Sequence, residues 1–473
     1  MTVLPLDPAA NRNPEALRGF LEQCQAAAVR AGRAQLVSIS LEVDALDPLA
    51  VLESIFEPTE RHFYVERPAE RLALAGAEAV LSFAAAGPGR FEACQRWIDE
   101  TLDNTIAVGN LSVPFAGPHF FAAFAFLDGA EPGAAFPPAS VFVPRWQVAL
   151  HDGRTAAVAN LVVEAGTRID LLAEKVWRAH AKFGAFAYAE PAFTEPAARP
   201  AALSEGGGAE HYAAAVTRAL ARIEAGAYQK IVLARAKDLA ADTTLHPLRV
   251  LNLLRQRFAD CYAFSVANGR GQSFIGSSPE RLLRVREGVL LTEALAGSIR
   301  RGATASEDAA FASALQRDEK ELREHRVVLE SIVRRLATLG LSAEHAGKPG
   351  VRRFANVQHL HTALSVALPG GVRLLDVAAR LHPTPAVGGS PREAAVAEIA
   401  GLEGFARGLY AGALGWVDCR GGGELFVGLR SALIDGERAR VYAGAGIVRG
   451  SDPRKELAET ELKFRAMLEA LQG

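Results

Sequence analysis

The second half of this chain crowds strand-like segments so closely that few architectures can hold them. Between Cys261 and Leu295, and again in three successive segments between Tyr410 and Val448, apolar runs are broken only by short turns. Strands joined this way pair antiparallel, because a parallel pair needs a crossover of about a dozen residues. Helical periodicity fills the intervals, at about Glu210 to Gly226, His246–Phe258, roughly Ser306 to Leu339, Val372–Leu381 and Pro391–Leu402. A further strand is expected at Leu360–Ala367, and a last helix starts at Ser451-Asp452-Pro453, an N-cap residue followed by proline. In the first part, strands are expected at Leu36–Val43, His62–Arg67, Phe121–Phe126, Ser140–Leu150 and Thr155–Val163, with a helix at Arg168–Phe183. The pattern predicts an α+β fold of mixed, largely antiparallel sheets with flanking helices, and not a parallel Rossmann sheet. A Pro/Ala/Gly-rich stretch from Glu190 to Gly208 is the best linker candidate, dividing the chain into residues 1–200 and 208–471.

Charge and cysteine usage narrow the function classes. The 473 residues carry a net charge of −2, so no broad attraction to nucleic acid or an anionic membrane surface is expected. No apolar run reaches the length of a membrane span, and Met1 to Arg12 shows no basic-then-apolar leader. Cys24, Cys94, Cys261 and Cys419 are scattered without C-x-x-C spacing and read as reduced core thiols. A cytoplasmic protein is the expectation.

One lysine is out of place. Lys230 lies in the apolar segment Gln229-Lys230-Ile231-Val232-Leu233-Ala234-Arg235, sharing a strand face with Val232 and Ala234. Burial there disfavours its charged form and would suit it to act as a general base near neutral pH. A lone lysine on an edge strand reaching for water explains the segment as well. The last helix puts Glu456, Glu459 and Lys463 on one face, and the long helix offers Glu321 and Glu324 at the same spacing. Two E-x-x-E pairs can hold a hard divalent cation, although spacing alone favours solvated surface charge. Arg430 is expected within a strand over Leu425–Leu433, beside Phe426, Gly428 and Ala432, where a guanidinium has room to grip a carboxylate. A surface arginine fits equally. Gly444, in Ala443-Gly444-Ala445-Gly446, lets backbone N–H groups approach an anion, but no G-x-G-x-x-G or Walker sequence accompanies it. Glu280, in the turn after Ser277-Ser278-Pro279, is by itself an ordinary glutamate.

Together these pieces resemble the chorismate-utilising enzymes, the family of isochorismate, salicylate, anthranilate and aminodeoxychorismate synthases. The likeness runs from Glu210 to Leu471 through ordered blocks that include YQKIVLAR (228–235), FIGSSPERLLR (274–284), TEALAGSIRRG (292–302), KELREHRVV (320–328), VQHLHT (357–362), LHPTPAVGG (381–389), YAGAGIV (442–448) and ELAETELK (456–463). It implies the fold of anthranilate synthase component I. Amine-adding members have glutamine where this chain has Lys230, and aminodeoxychorismate synthases have a nucleophilic lysine where it has Ala296. The block His382 to Gly389 and VQHLHT are most similar to isochorismate synthases, the latter to those of menaquinone biosynthesis, as are FYVERP (63–68) and FVPRW (142–146) more weakly. Ser298 and Ile299 depart from the commoner threonine-containing version of their block.

The resemblance implies a division of labour. Lys230 is the base acting on water, and Glu280 is the acid acting on the leaving hydroxyl. Glu324 and Glu459 hold Mg²⁺, with Glu321 and Glu456 behind them. Gly297, His361, Thr362, Arg430, Gly444 and Lys463 bind chorismate. No glutaminase subunit is expected, and a monomer or weak homo-oligomer is. A siderophore pathway suits the product as well as menaquinone does. A salicylate synthase, an amine-adding subunit and an inactive chorismate-binding relative stay open as alternatives.

Overall fold

Strand pairing links the first and last thirds of the chain into a curled, largely antiparallel ribbon. The computed structural model describes residues 1–4, 14–131, 133–184, 200–205, 208–355 and 357–472. One arm of the ribbon runs from Lys230–Ala241 through Arg438–Val448, Ser431–Asp435 and Gln272–Ser278 to Tyr262–Ala267. There it passes into the first half: Tyr262–Ala267 pairs with His62–Arg67, which continues through Leu72–Ala85 and Ala139–His151 to His119–Phe124. It returns to the second half at Ala413–Asp418, then runs through Gly423–Val427 and Arg281–Arg286 to Val289–Arg300 and Val357–Ala367. The parallel exceptions are Thr2–Leu4 and Gln35–Val43, each beside Thr105–Val108. The expected α+β class is thus the observed one, and one apolar core draws on both halves, from Phe63, Phe121 and Phe124 to Phe264, Leu283 and Phe426.

Buried ion pairs brace the ribbon where its arms meet. Arg67 donates to the Tyr262 hydroxyl at 2.9 Å, and Arg281 donates to Glu424 at 2.7 Å and to Glu70 at 2.8 Å. Arg407, paired with Glu403, donates to the Val232 and Val387 carbonyls at 2.8 Å each. Glu403 in turn accepts the Ala234 N–H at 2.7 Å. These contacts pair Arg281 and Arg407 with carboxylates and tie the Lys230 strand to Glu403 and Arg407.

Several expected boundaries move. The helical stretch over 306–339 is two helices, Ala305–Leu315 and Glu319–Ala337, because the Asp318 carboxylate caps the second by accepting the N–H groups of Lys320 and Glu321. The tail holds four strands, not three: Ala413–Asp418, Gly423–Val427, Ser431–Asp435 and Arg438–Val448. The linker expected over Glu190 to Gly208 falls largely outside the described residues, but Pro200–Glu205 within it is a strand beside Lys237–Ala241. The last helix, Pro453–Gln472, begins where expected, with Asp452 accepting the N–H groups of Arg454 and Lys455.

Candidate active site

A cavity of about 80 Å³ lies between the two arms of the ribbon. Of the residues singled out in the sequence, Glu280, Gly297, Glu324, Arg430, Gly444, Glu459 and Lys463 line it. A larger hollow of about 790 Å³, walled by residues such as Phe121, Arg145 and Asn268, contains none of them, so volume does not select the site.

Lys230 stands just behind the wall. Cross-strand register sets it opposite Val448, and places Val232 opposite Gly446 and Ala234 opposite Gly444. The missing side chains at these glycines are what make the space: a Cβ on Gly446 would lie 2.5 Å from Glu324 Oε1 and 3.0 Å from Lys230 Cε. Lys230 has no exposed surface. Its neighbours are not only apolar, as the strand pattern suggested, because its Nζ donates to Glu324 Oε1 at 2.8 Å.

Glu280 is not an exposed turn residue. It is 6% exposed, with its N–H directed at the Ser278 hydroxyl (3.3 Å) and its carbonyl accepting the Val427 N–H (3.0 Å). Burial first, and then the charge of nearby Glu293, push its carboxyl up to about 8, while Lys230 and Lys463 pull the other way. The side chain therefore keeps its proton at neutral pH.

The four helical carboxylates form an oxygen-only set. Glu321 is pushed up to about 7, by burial first and then by Glu324. Glu456 is raised by burial and by Glu459. Burial works against the charge of Glu459 too, but Lys463, Lys320 and Arg430 outweigh it and hold that carboxyl below its ordinary value. Lysines answer this crowding: Lys320 contacts Glu456 at 3.0 Å and Glu321 at 3.3 Å, and Lys463 contacts Glu459 at 2.7 Å. Among the described residues no three acidic, His or Cys side chains close on one point. Four carboxylates gathered from two helices are nevertheless a fitting donor set for a hard dication.

Two expected substrate contacts are displaced, and one residue is gained. Gly297 is a bulge in Val289–Arg300, with φ of +81°, so Ala296 pairs with Leu360 but Ser298 pairs with His359. His359 consequently lines the cavity, while His361 turns its Nε2 to Glu293 Oε2 at 3.0 Å. Thr362 is buried against the long helix, its hydroxyl 2.9 Å from His325 Nε2. His359 Nδ1 meets the Ser298 hydroxyl at 2.9 Å, and its buried Nε2 has no partner among the described residues. The Ser298 N–H donates to Glu321 Oε2 at 2.9 Å, tying the bulge to the carboxylate helix.

Arg430 also departs from expectation. The strand breaks after Val427 and resumes at Ser431, leaving Arg430 between them with φ of +47° and its carbonyl taken by the Ser277 N–H at 3.1 Å. The break is packed too closely for a side chain at Gly428, where a Cβ would lie 2.6 Å from the Leu409 carbonyl. The turn carries the guanidinium to the cavity wall. Nearby, Lys463 donates to the Gly444 carbonyl at 2.8 Å, so that glycine offers the lysine an anchor as well as room.

The family model for chorismate binding enzymes matches residues 20–472. The chain belongs to that family. It is similar to the salicylate biosynthesis isochorismate synthase of Pseudomonas aeruginosa, with 34% identity over 474 residues, covering 97% of this chain and 94% of the relative. Its structure is similar to that of MenF, the menaquinone-specific isochorismate synthase from Escherichia coli, with a TM-score of 0.76, 26% identity, and coverage of 96% of this chain and 100% of that one. Anthranilate synthase component I from Streptococcus pneumoniae has the same fold, at a TM-score of 0.67 and 22% identity over 84% of this chain and 92% of that one. The protein is thus a chorismate-utilising enzyme of the isochorismate synthase type, with the curled antiparallel sheet of the family. No helix among the described residues is long and apolar enough to cross a membrane.

Proposed function

We propose that this family member is an isochorismate synthase, converting chorismate reversibly to isochorismate by adding water at C2 and expelling the C4 hydroxyl. Glu280 carries the reading: a carboxylic acid on the cavity wall that holds its proton to about pH 8. Lys230 takes a proton from the attacking water, the new C–O bond forms at C2, the double bond shifts, and Glu280 protonates the departing hydroxyl. The reverse reaction returns both protons. Water is the nucleophile, so no glutaminase subunit is needed. The names of the two isochorismate synthase relatives point to different pathways, and we assign the reaction only.

Arg430 and Lys463 supply positive charge to a substrate dianion, and His359 Nε2 offers a further polar contact on the same wall. Glu324 and Glu459 are the residues that would hold Mg²⁺, with Glu321 and Glu456 behind them. When bound, the ion would offset carboxylate charge and polarise a substrate carboxylate. To act as the base, Lys230 must first give up its own proton and its contact with Glu324.

Purified protein incubated with chorismate, with Mg²⁺ or with EDTA, tests the assignment by chromatography of the products. Isochorismate formed only with the metal is expected. Salicylate and pyruvate as main products, or turnover only with added ammonia, would overturn it. Gly446→Ala should lower turnover by about 10²-fold without loss of fold, because its new methyl displaces Glu324 or Lys230 by about an ångström. Unchanged kinetics would show that this close packing does not matter to the chemistry.

A further inference from the structure

Glu293 is a buried carboxylate that the chemistry above leaves unused. It lies on Val289–Arg300, is 6% exposed, and is absent from the cavity wall. Its Oε2 accepts from Arg352 Nη1 at 2.8 Å and from His361 Nε2 at 3.0 Å. Its Oε1 accepts the backbone N–H of Arg281, the residue directly after Glu280, at 3.1 Å. Three donors on two oxygens leave it little freedom to move.

We propose that Glu293 is a positioning residue for proton transfer by Glu280, fixing the backbone at Arg281 and keeping a permanent negative charge beside the acid. The inference rests on the assignment of Glu280 as that acid. A site that binds a dianion must gather cations, and cations strip protons from a neighbouring carboxylic acid. Lys230 and Lys463 act on Glu280 in that sense, and the Tyr410 hydroxyl also faces it. Glu293 is the opposing charge. Burial works against its ionisation, but the hydrogen bond from His361 and the cations of Arg352 and Arg281 outweigh burial and hold its carboxyl at about 2. It therefore stays ionised wherever the enzyme works. The same arrangement gives His361 a task away from the substrate: it keeps Glu293 charged and in place.

The test is the pH profile of chorismate turnover in wild type, Glu293→Gln, Arg352→Met and Glu280→Gln. An amide at 293 still accepts the Arg281 N–H but carries no charge. The high-pH limb should move down by about one unit, giving about a five-fold loss at pH 8 and almost none at pH 6. Arg352→Met leaves the charge of Glu293 less compensated and should move the limb upward. A merely structural role would lower the rate at every pH and leave the limb in place; that outcome, or both limbs moving the same way, overturns the inference. Should Glu293→Gln fail to fold, Arg352→Met decides alone, upward in support and otherwise against. Glu280→Gln separates the two levels. Wild-type turnover in that variant removes the acid assignment itself, whereas an inactive Glu280→Gln beside an unmoved limb in Glu293→Gln removes only the role of Glu293.

Discussion

Glu280→Gln is expected to lower kcat for chorismate conversion by about 10²–10⁴-fold, the range that one positioned acid supplies, with little change in substrate binding. Glutamine has the same shape and still fits the turn held by the Ser278 hydroxyl and the Val427 N–H. It cannot release a proton to a leaving hydroxyl. The sign of the pH effect follows from the acid role. An acid works only while protonated, and burial with Glu293 pushes the Glu280 carboxyl up to about 8, so wild-type turnover should be sustained below that pH and fall through it. Glu280→Gln should retain no such limb in whatever activity survives. Steady-state kinetics across pH, with chorismate binding measured separately by calorimetry, checks both parts. A variant that turns over at the wild-type rate would exclude Glu280 as the acid.

The burial that makes Glu280 an acid is invisible in its own neighbourhood of sequence. Ser277-Ser278-Pro279 announces a turn, and turns are usually wet; the cover comes from Val427, nearly 150 residues onward, and from Glu293 on a neighbouring strand. Lys230 is legible for the opposite reason, since the four apolar or small residues that follow it already imply its burial. Its Glu324 partner lies on a helix that no local pattern connects to it. Period-two alternation puts His359 and His361 on one face, so it cannot say which meets the cavity. The bulge at Gly297 decides that, and a glycine inside a strand pattern was the available hint.

Elsewhere, tertiary pairing overrides local preference. The strand Leu72–Ala85 is so rich in alanine that its own propensity favours helix, yet strands on both sides claim its backbone hydrogen bonds. The α+β class survived such misses because it depends on the spacing of strands and turns, not on each boundary. Arg430 shows the cost of a missed boundary at the site. Placed within a strand, it shares a face with Phe426; placed in the Gly428 break, it reaches the cavity through its own left-handed backbone.

Lys230→Ala should lose about 10²–10⁴-fold in turnover as well, but for a separable reason. Lys230 is fully buried and its only charged contact among the described residues is Glu324, so removing it both deletes the base and leaves a largely buried carboxylate without its partner. Lys230→Gln distinguishes these effects. The amide is one bond shorter but keeps a hydrogen-bond donor directed at Glu324, yet it has no basic nitrogen, so it should be folded and as inactive as the alanine variant. Chemical rescue sharpens the contrast. A small primary amine can occupy the space left in Lys230→Ala and supply the missing electron pair, restoring part of the rate as its free-base concentration rises. The same amine should do nothing for Glu280→Gln, where the missing group is an acid. Rescue of both variants, or substantial water-adding turnover in Lys230→Gln, would mean that another group takes the proton from water and that Lys230 serves chiefly to neutralise Glu324.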